Sequence, residues 1–261
     1  TTLSDLPNIF TNTIFGYGYN GQYYLAGGEN LLLRSTDGKV WTSTVFTGTP
    51  ITFLWDGNMW IAGGTTTLSA SGVWTSPDAI TWTQQVPPLN AAIYSLAYNG
   101  SIYVAVGGST TGMGGLAFST DGITWVNSGS VGFGETGTGY TVIWTGRYFL
   151  AGGVADTDVL LKSEDGMFWD VVVTVADGIL MSVRGLSFDG YRVVAVGEGN
   201  VAAYSDDSGD NWNVGVGSFD NFVVGTSVCH NGRVFIMCGE FDNNVAISSD
   251  GIGWAVISRA P

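Results

Sequence analysis

Ser119-Thr120-Asp121-Gly122-Ile123-Thr124-Trp125 is the stretch on which the reading of this chain turns, because it recurs six times with small changes. The other copies run from Ser35 to Trp41, Ser76 to Trp82, Ser163 to Trp169, Ser205 to Trp212 and Ser248 to Trp254. The closing tryptophans, Trp41, Trp82, Trp125, Trp169, Trp212 and Trp254, follow one another at a period of about 41–44 residues, the length of one four-stranded propeller blade. The second copy has Ala79 where the others have glycine, and the fifth carries one extra residue, Ser205-Asp206-Asp207-Ser208-Gly209.

A second signal precedes each copy. Apolar runs are broken by the pairs Asn20-Gly21, Asp56-Gly57, Asn99-Gly100, Thr145-Gly146, Asp189-Gly190 and Asn231-Gly232. Asn-Gly and Asp-Gly favour type I′ hairpin turns, in which both central residues take φ > 0. Seven residues after each turn glycine stands another, at Gly28, Gly64, Gly107, Gly153, Gly197 and Gly239. Each unit therefore reads as strand A, tight turn, strand B, variable loop, strand C, Ser-x-Asp turn, strand D. In the third unit the strands fall at Tyr94–Tyr98, Ser101–Val106, Leu116–Ser119 and Thr124–Asn127. Strand B is apolar throughout, as in Tyr103-Val104-Ala105-Val106, which suits a strand covered on both faces.

The whole chain reads as one all-β domain, a six-bladed β-propeller of four-stranded antiparallel blades at about 13–46, 47–86, 87–129, 130–174, 175–216 and 217–261. Residues 1–12, with Leu6, Ile9 and Phe10, are expected to clasp the sixth blade and close the ring. In each C–D turn the serine and aspartate (Asp37, Asp78, Asp121, Asp165, Asp207 and Asp250) accept backbone N–H groups, and the tryptophan packs beneath.

The pattern S-x-D-(x)-G-x-x-W, six times in register, resembles the Asp-box or BNR repeat of sialidase-like propellers. The longer unit is similar to repeats in bacterial surface proteins and in tail or surface proteins of phages and large viruses. That resemblance implies the fold, with the Asp box on the C–D turn opposite the ligand face. It implies no activity. Sialidases need three arginines, a tyrosine nucleophile with a glutamate, and an aspartic acid. Here only Arg184 begins an A strand on the ligand side, and Tyr17, Tyr94 and Tyr140 on A strands are read as core packing. No catalytic residue is assigned. Glycosidase chemistry of another kind needs two carboxylates about 5–9.5 Å apart, and nothing marks a pair such as Asp156 and Glu198.

Charge sorts the two ends of the units. The net charge of −14 excludes the basic stripe that nucleic acid requires, and no apolar run approaches the roughly 18 residues of a membrane span. Residues 1–12 show no basic start and apolar stretch of a signal peptide. Arg34, Lys39, Arg147, Lys162, Arg192 and Arg233 flank the tight turns. The opposite, loop end collects Glu29, Glu135, Asp156, Asp158, Asp177, Glu198, Asp220, Glu240 and Asp242 with Phe133, Phe219 and Phe241. Its longest loops are Ser128–Gly139 and Thr65–Gly72.

This acidic, aromatic loop face is the expected ligand surface, on Glu29, Phe133, Glu135, Asp156, Asp158, Glu198, Phe219, Asp220, Glu240, Phe241 and Asp242. The expectation is a non-enzymatic module for a cell-surface glycan or protein, in an extracellular, cell-surface or virion-associated setting. The alternatives are a structural subunit of a virion or phage, assembled with other chains, and a divergent glycoside hydrolase. No cofactor is expected; Asp156 and Asp158 offer oxygens to Ca²⁺ without the spacing of an EF-hand loop.

Cys229 and Cys238 are expected to be free and buried. With a two-residue turn at Asn231-Gly232, Cys229 faces Val234 and Cys238 faces Gly225. That puts the cysteines four rungs and roughly 13 Å apart, beyond disulfide reach.

Overall fold

A computed structural model of the chain describes residues 13–66, 70–86, 89–108, 115–128, 132–134, 137–217, 224–240 and 245–257. Their regular structure is β-strand apart from one 3₁₀ turn at Val175–Asp177. Four four-stranded antiparallel sheets come first. They are β1–β4 (Ile14–Tyr19, Tyr24–Gly28, Leu31–Ser35, Thr42–Val45) and β5–β8 (Thr49–Trp55, Trp60–Thr65, Ser71–Ser76, Thr83–Gln85), followed by β9–β12 (Ile93–Tyr98, Tyr103–Gly107, Leu116–Ser119, Trp125–Asn127) and β13–β16 (Thr138–Trp144, Phe149–Val154, Asp158–Ser163, Asp170–Thr174).

A nine-stranded sheet holds the remaining repeats. Its strands are β17 (Leu180–Phe188), β18 (Val193–Gly199), β19 (Ala202–Ser205), β20 (Asn213–Val214), β21 (Val216–Gly217), β22 (Val224–His230), β23 (Phe235–Glu240), β24 (Val245–Ser248) and β25 (Gly253–Ile257). Two links join its halves. Glu198 of β18 pairs with Val224 of β22, and β21 runs parallel to β25.

The all-β, four-stranded antiparallel expectation holds, and in the third unit the strands fall within two residues of their predicted starts. Consecutive sheets stack through their first strands, β1 on β5, β5 on β9, β9 on β13, β13 on β17 and β17 on β22. The core lies between sheets. Ile61 and Val73 of the second sheet pack on Tyr103, Ala105, Ala117 and Trp125 of the third. Close stacking demands small residues: a Cβ on Gly63 would lie 2.6 Å from Ile93 of the next sheet. Residues 1–12, the expected clasp, lie outside the described residues.

The Ser-x-Asp turns are built as their residues require. Ser119 Oγ donates to Asp121 Oδ1 (2.9 Å) and accepts the Gly122 N–H (2.9 Å), while Asp121 Oδ1 accepts the N–H groups of Ile123 and Thr124 (2.8 and 2.7 Å). Trp125 Nε1 closes the turn on the Gly122 carbonyl (3.1 Å), as Trp41, Trp169 and Trp212 do on Gly38, Gly166 and Gly209. In the second copy Ala79 is forced to φ 59°. There the Trp82 indole N–H is buried without a hydrogen-bond partner among the described residues, as is that of Trp254.

These bonds depress the turn carboxyls. For Asp121 the Thr124 N–H is the largest cause. For Asp207, burial pushes upward but is outweighed by hydrogen bonds from Asn211 and Ser205, which hold the carboxyl at about 2. A carboxyl depressed on folding stabilises above its unfolded value of about 3.9, and that stabilisation fades as pH falls through the folded value. The urea midpoint should therefore drop between pH 4 and pH 2, and Asp207→Asn should flatten the slope. An unchanged slope in Asp207→Asn would exclude this turn as a source of acid sensitivity.

Two expectations are corrected. In the A–B hairpins only the glycine takes φ > 0 (Gly21 at 90°, Gly100 at 99°, Gly232 at 88°), as at the first central position of a type II′ turn. The Asn or Asp precedes the central pair and bonds through its side chain: Asn99 Oδ1 accepts the N–H groups of Ser101 and Ile102 (2.9 and 2.7 Å). The ladder is shifted accordingly. Cys229 faces Ile236 and Cys238 faces Ser227, two rungs apart on one face of the sheet rather than four. Both thiols are free, but both are exposed, not buried.

Candidate functional site

In an antiparallel A-B-C-D sheet the A–B and C–D turns share one end and the B–C and D–A loops the other. At the turn end three of the cations are paired: Arg147 and Lys162 both reach Asp210 (3.2 and 2.5 Å), and Arg192 reaches Asp206 (2.5 Å). Along the axis, the first strands of every repeat enclose a cavity of about 340 Å³ whose lining includes Tyr17, Tyr94, Ser95, Tyr140, Arg184 and Ser227.

Arg184 is the centre of this cavity's chemistry. Its Nη2 donates to Glu198 Oε1 at 2.6 Å, and its guanidinium lies 5.1 Å from the Tyr140 ring centroid. The Tyr94 and Tyr140 rings are 6.0 Å apart. The Glu198 hydrogen bond first, and then the charges of neighbours including Glu240, raise the Arg184 pKa above its ordinary value. Arg184 Nε is buried with no hydrogen-bond partner among the described residues, so the guanidinium keeps one donor unspent.

Of the sequence-predicted ligand residues, Glu198 bonds Arg184 and Glu240 lies in the same sheet row, though neither lines the cavity itself. They flank Val224 in one row of the nine-stranded sheet. Glu29 is exposed at the β2–β3 turn, Asp156 is exposed between β14 and β15, and Asp158 is half-buried at the start of β15; none of the three lines the cavity. Asp177 is exposed but spent on the Thr174 N–H and hydroxyl (2.7 and 2.9 Å). Phe133 is corrected: it is 1 % exposed, packed with Val106, Val142 and Ala151, and fills the space left by Gly139 and Gly153. Glu135, Phe219, Asp220, Phe241 and Asp242 lie outside the described residues. Among the described residues no three His, Cys, Asp or Glu side chains gather as a metal would need.

The tyrosines are corrected too. Tyr17 and Tyr94 are exposed in the cavity rather than packed in the core. The sequence carried a signal for this in Arg184, which was expected to begin an A strand and stands instead in the middle of β17, but no signal that Tyr94 and Tyr140 would share its cavity.

Comparison with solved structures settles the architecture. The chain is similar to the WD40 β-propeller domain of Doa1 (TM-score 0.67, 14% identity, 95% of this chain and 83% of that one). It is also similar to YCF48 bound to D1 peptide (TM-score 0.63, 15% identity, 90% and 78%) and to the Pan2 WD40 domain of Neurospora crassa (TM-score 0.63, 10% identity, 97% and 82%). The protein folds as a β-propeller. No family's sequence profile and no curated protein matches the chain. At these identities the likeness concerns the fold alone.

Proposed function

We propose that this chain is a non-enzymatic binding module: a six-bladed propeller of Asp-box repeats, the nine-stranded sheet counting as two blades, that takes a protein or glycan surface at its loop face. One observation carries the reading. The open cavity is lined by Arg184, Tyr94 and Tyr140, with Glu198 holding the guanidinium. Aromatic faces with a few convergent polar groups are what a binding pocket needs. At the turn end Arg147, Lys162 and Arg192 are already neutralised by Asp206 and Asp210. Glu198 is held by Arg184, which suits a recognition group better than a general acid. Likeness to YCF48, solved with a peptide bound, supports a protein ligand. A cell-surface or virion-associated setting fits this reading.

Peptide and glycan arrays, run with Ca²⁺ and with EDTA, test it. Binding is expected to weaken by about tenfold or more in Arg184→Ala, and to be unaffected in Arg147→Ala on the turn end. Binding that survives Arg184→Ala and fails in Arg147→Ala would place the site on the wrong face. Turnover of a fluorogenic glycoside, lost in Glu198→Gln, would replace the reading with catalysis.

A further inference from the structure

The second repeat carries an aromatic residue that the others lack. Two residues before the box serine, where the other repeats place Leu33, Ala117, Leu161, Ala203 and Ala246, it places Trp74. The ring is 2 % exposed and lies over two glycines: a Cβ on Gly72 would stand 2.1 Å from it, and one on Gly48 2.8 Å. Trp82, which closes the same repeat, is held by aromatic neighbours rather than by its turn. Its N–H makes no bond of the kind that Trp125 makes to Gly122. Its ring stands edge-on to Phe46 and Phe53 instead, with centroids 5.8 and 6.2 Å away.

Phe46, Trp74 and Trp82 line a cavity of about 230 Å³, with β4 and the loop after it on one side and β7 and β8 on the other. Phe46 and Trp74 are buried, Trp82 is half-buried, and Thr44, Thr47, Ile80 and Gln84 are exposed. The interior is therefore aromatic, and the mouth carries two hydroxyls and a carboxamide. None of those three polar side chains is spent on another described residue. No lining residue is charged, on a chain of net charge −14, and none is shared with the axial cavity around Arg184.

We propose that this cavity between the first and second blades is a binding site for one uncharged sugar ring. Charge, size and hydrogen bonding each narrow the ligand. An ammonium or a carboxylate would give up water here without meeting an opposite charge. A volume below the roughly 300–1,000 Å³ of sites for drug-sized ligands suits a single ring rather than a chain. A pyranose has an apolar C–H face for the indole and phenyl rings. Its hydroxyls both donate and accept, as do the threonine hydroxyls and the Gln84 carboxamide at the mouth. A hydrocarbon of the same size would make no use of those groups. The site is additional to the loop-face cavity, and nothing in it rests on that reading.

Saturation-transfer difference NMR and indole ¹H–¹⁵N spectra of the whole chain test it, with the methyl glycosides of glucose, galactose, mannose and N-acetylglucosamine as probes. At least one is expected to bind with a Kd on the order of 1 mM, the scale for a ligand of so few atoms. It should also shift the Trp82 indole signal, assigned by its disappearance in Trp82→Phe. Gln84→Leu and Thr47→Val, both at exposed positions, should each weaken binding about fivefold or more with the thermal midpoint unchanged. Arg184→Ala should leave sugar binding as it is. No saturable binding of any of the four glycosides would overturn the proposal, and so would binding that neither Gln84→Leu nor Thr47→Val weakens. Glucuronic acid or glucosamine binding more tightly than the neutral glycosides would also overturn it. N-acetyltryptophanamide bound in their place, and lost in the same variants, would make the cavity a pocket for an aromatic side chain of a protein instead. The array ligand responds to Arg184→Ala and the sugar to Gln84→Leu, so the two readings fail separately.

Discussion

Replacing Trp125 with alanine is expected to lower the unfolding free energy by about 3–5 kcal/mol, the range for deleting a large buried aromatic. The ring is 7 % exposed and packs with Tyr103 of its own blade, centroids 6.5 Å apart, in a cluster that includes Ile61 and Val73 of the preceding blade. It thus ties two sheets together. Its N–H also holds the Gly122 carbonyl at the end of a turn that Ser119 and Asp121 have already closed. Alanine loses the ring, the hydrogen bond and the inter-blade contact together. Val126→Ala, one residue along and 52 % exposed, is expected to stay within about 0.5 kcal/mol of the parent. Urea denaturation of the two variants gives the comparison. Equal losses would mean that the tryptophan is not a blade anchor.

Gly107→Ala is expected to cost about 1–3 kcal/mol through overpacking. The cause is space rather than backbone strain. A Cβ there would lie 2.1 Å from the Ala92 carbonyl oxygen, where the A–B ladder shifts register at Val106/Gly107. The same glycine in other blades meets the same carbonyl, at 2.0 Å for Gly64 on Thr49, 2.3 Å for Gly153 on Thr138 and 1.8 Å for Gly197 on Ser182. The obstacle is backbone, so no rotamer change relieves it. Gly253→Ala, with nothing within 4 Å, is the control and should stay within about 0.5 kcal/mol. Thermal midpoints that fall equally for both would remove the bulge explanation for the repeated glycine.

What was legible in the sequence was what local chemistry determines. Ser119, Asp121 and Trp125 build their turn from bonds reaching no more than three residues, so the motif predicts the geometry wherever it occurs. The A–B hairpins were located but misregistered. An Asn side chain at the turn stands in for the backbone carbonyl expected to accept, which moves the glycine to the first central position. Residues whose fate depends on distant neighbours were misread. Phe133 is buried because it packs onto Gly139 and Gly153, and the cysteines are exposed because they lie on the face of β22 and β23 opposite the one by which Val228 and Met237 pack on Val194 and Val196. Arg184 meets Glu198 only because β17 and β18 pair with Ser182 opposite Glu198 and Val183 opposite Gly197.

Hydrogen exchange, measured with and without the ligand that the arrays return, tests most directly whether the loop end is the working face. The account predicts slowed exchange at the loop ends of β13, β17, β18 and β23, around Tyr140, Arg184, Glu198 and Glu240. Slowing confined to the Ser-x-Asp turns at 35–41, 119–125 and 163–169, with the loop ends unchanged, would contradict it.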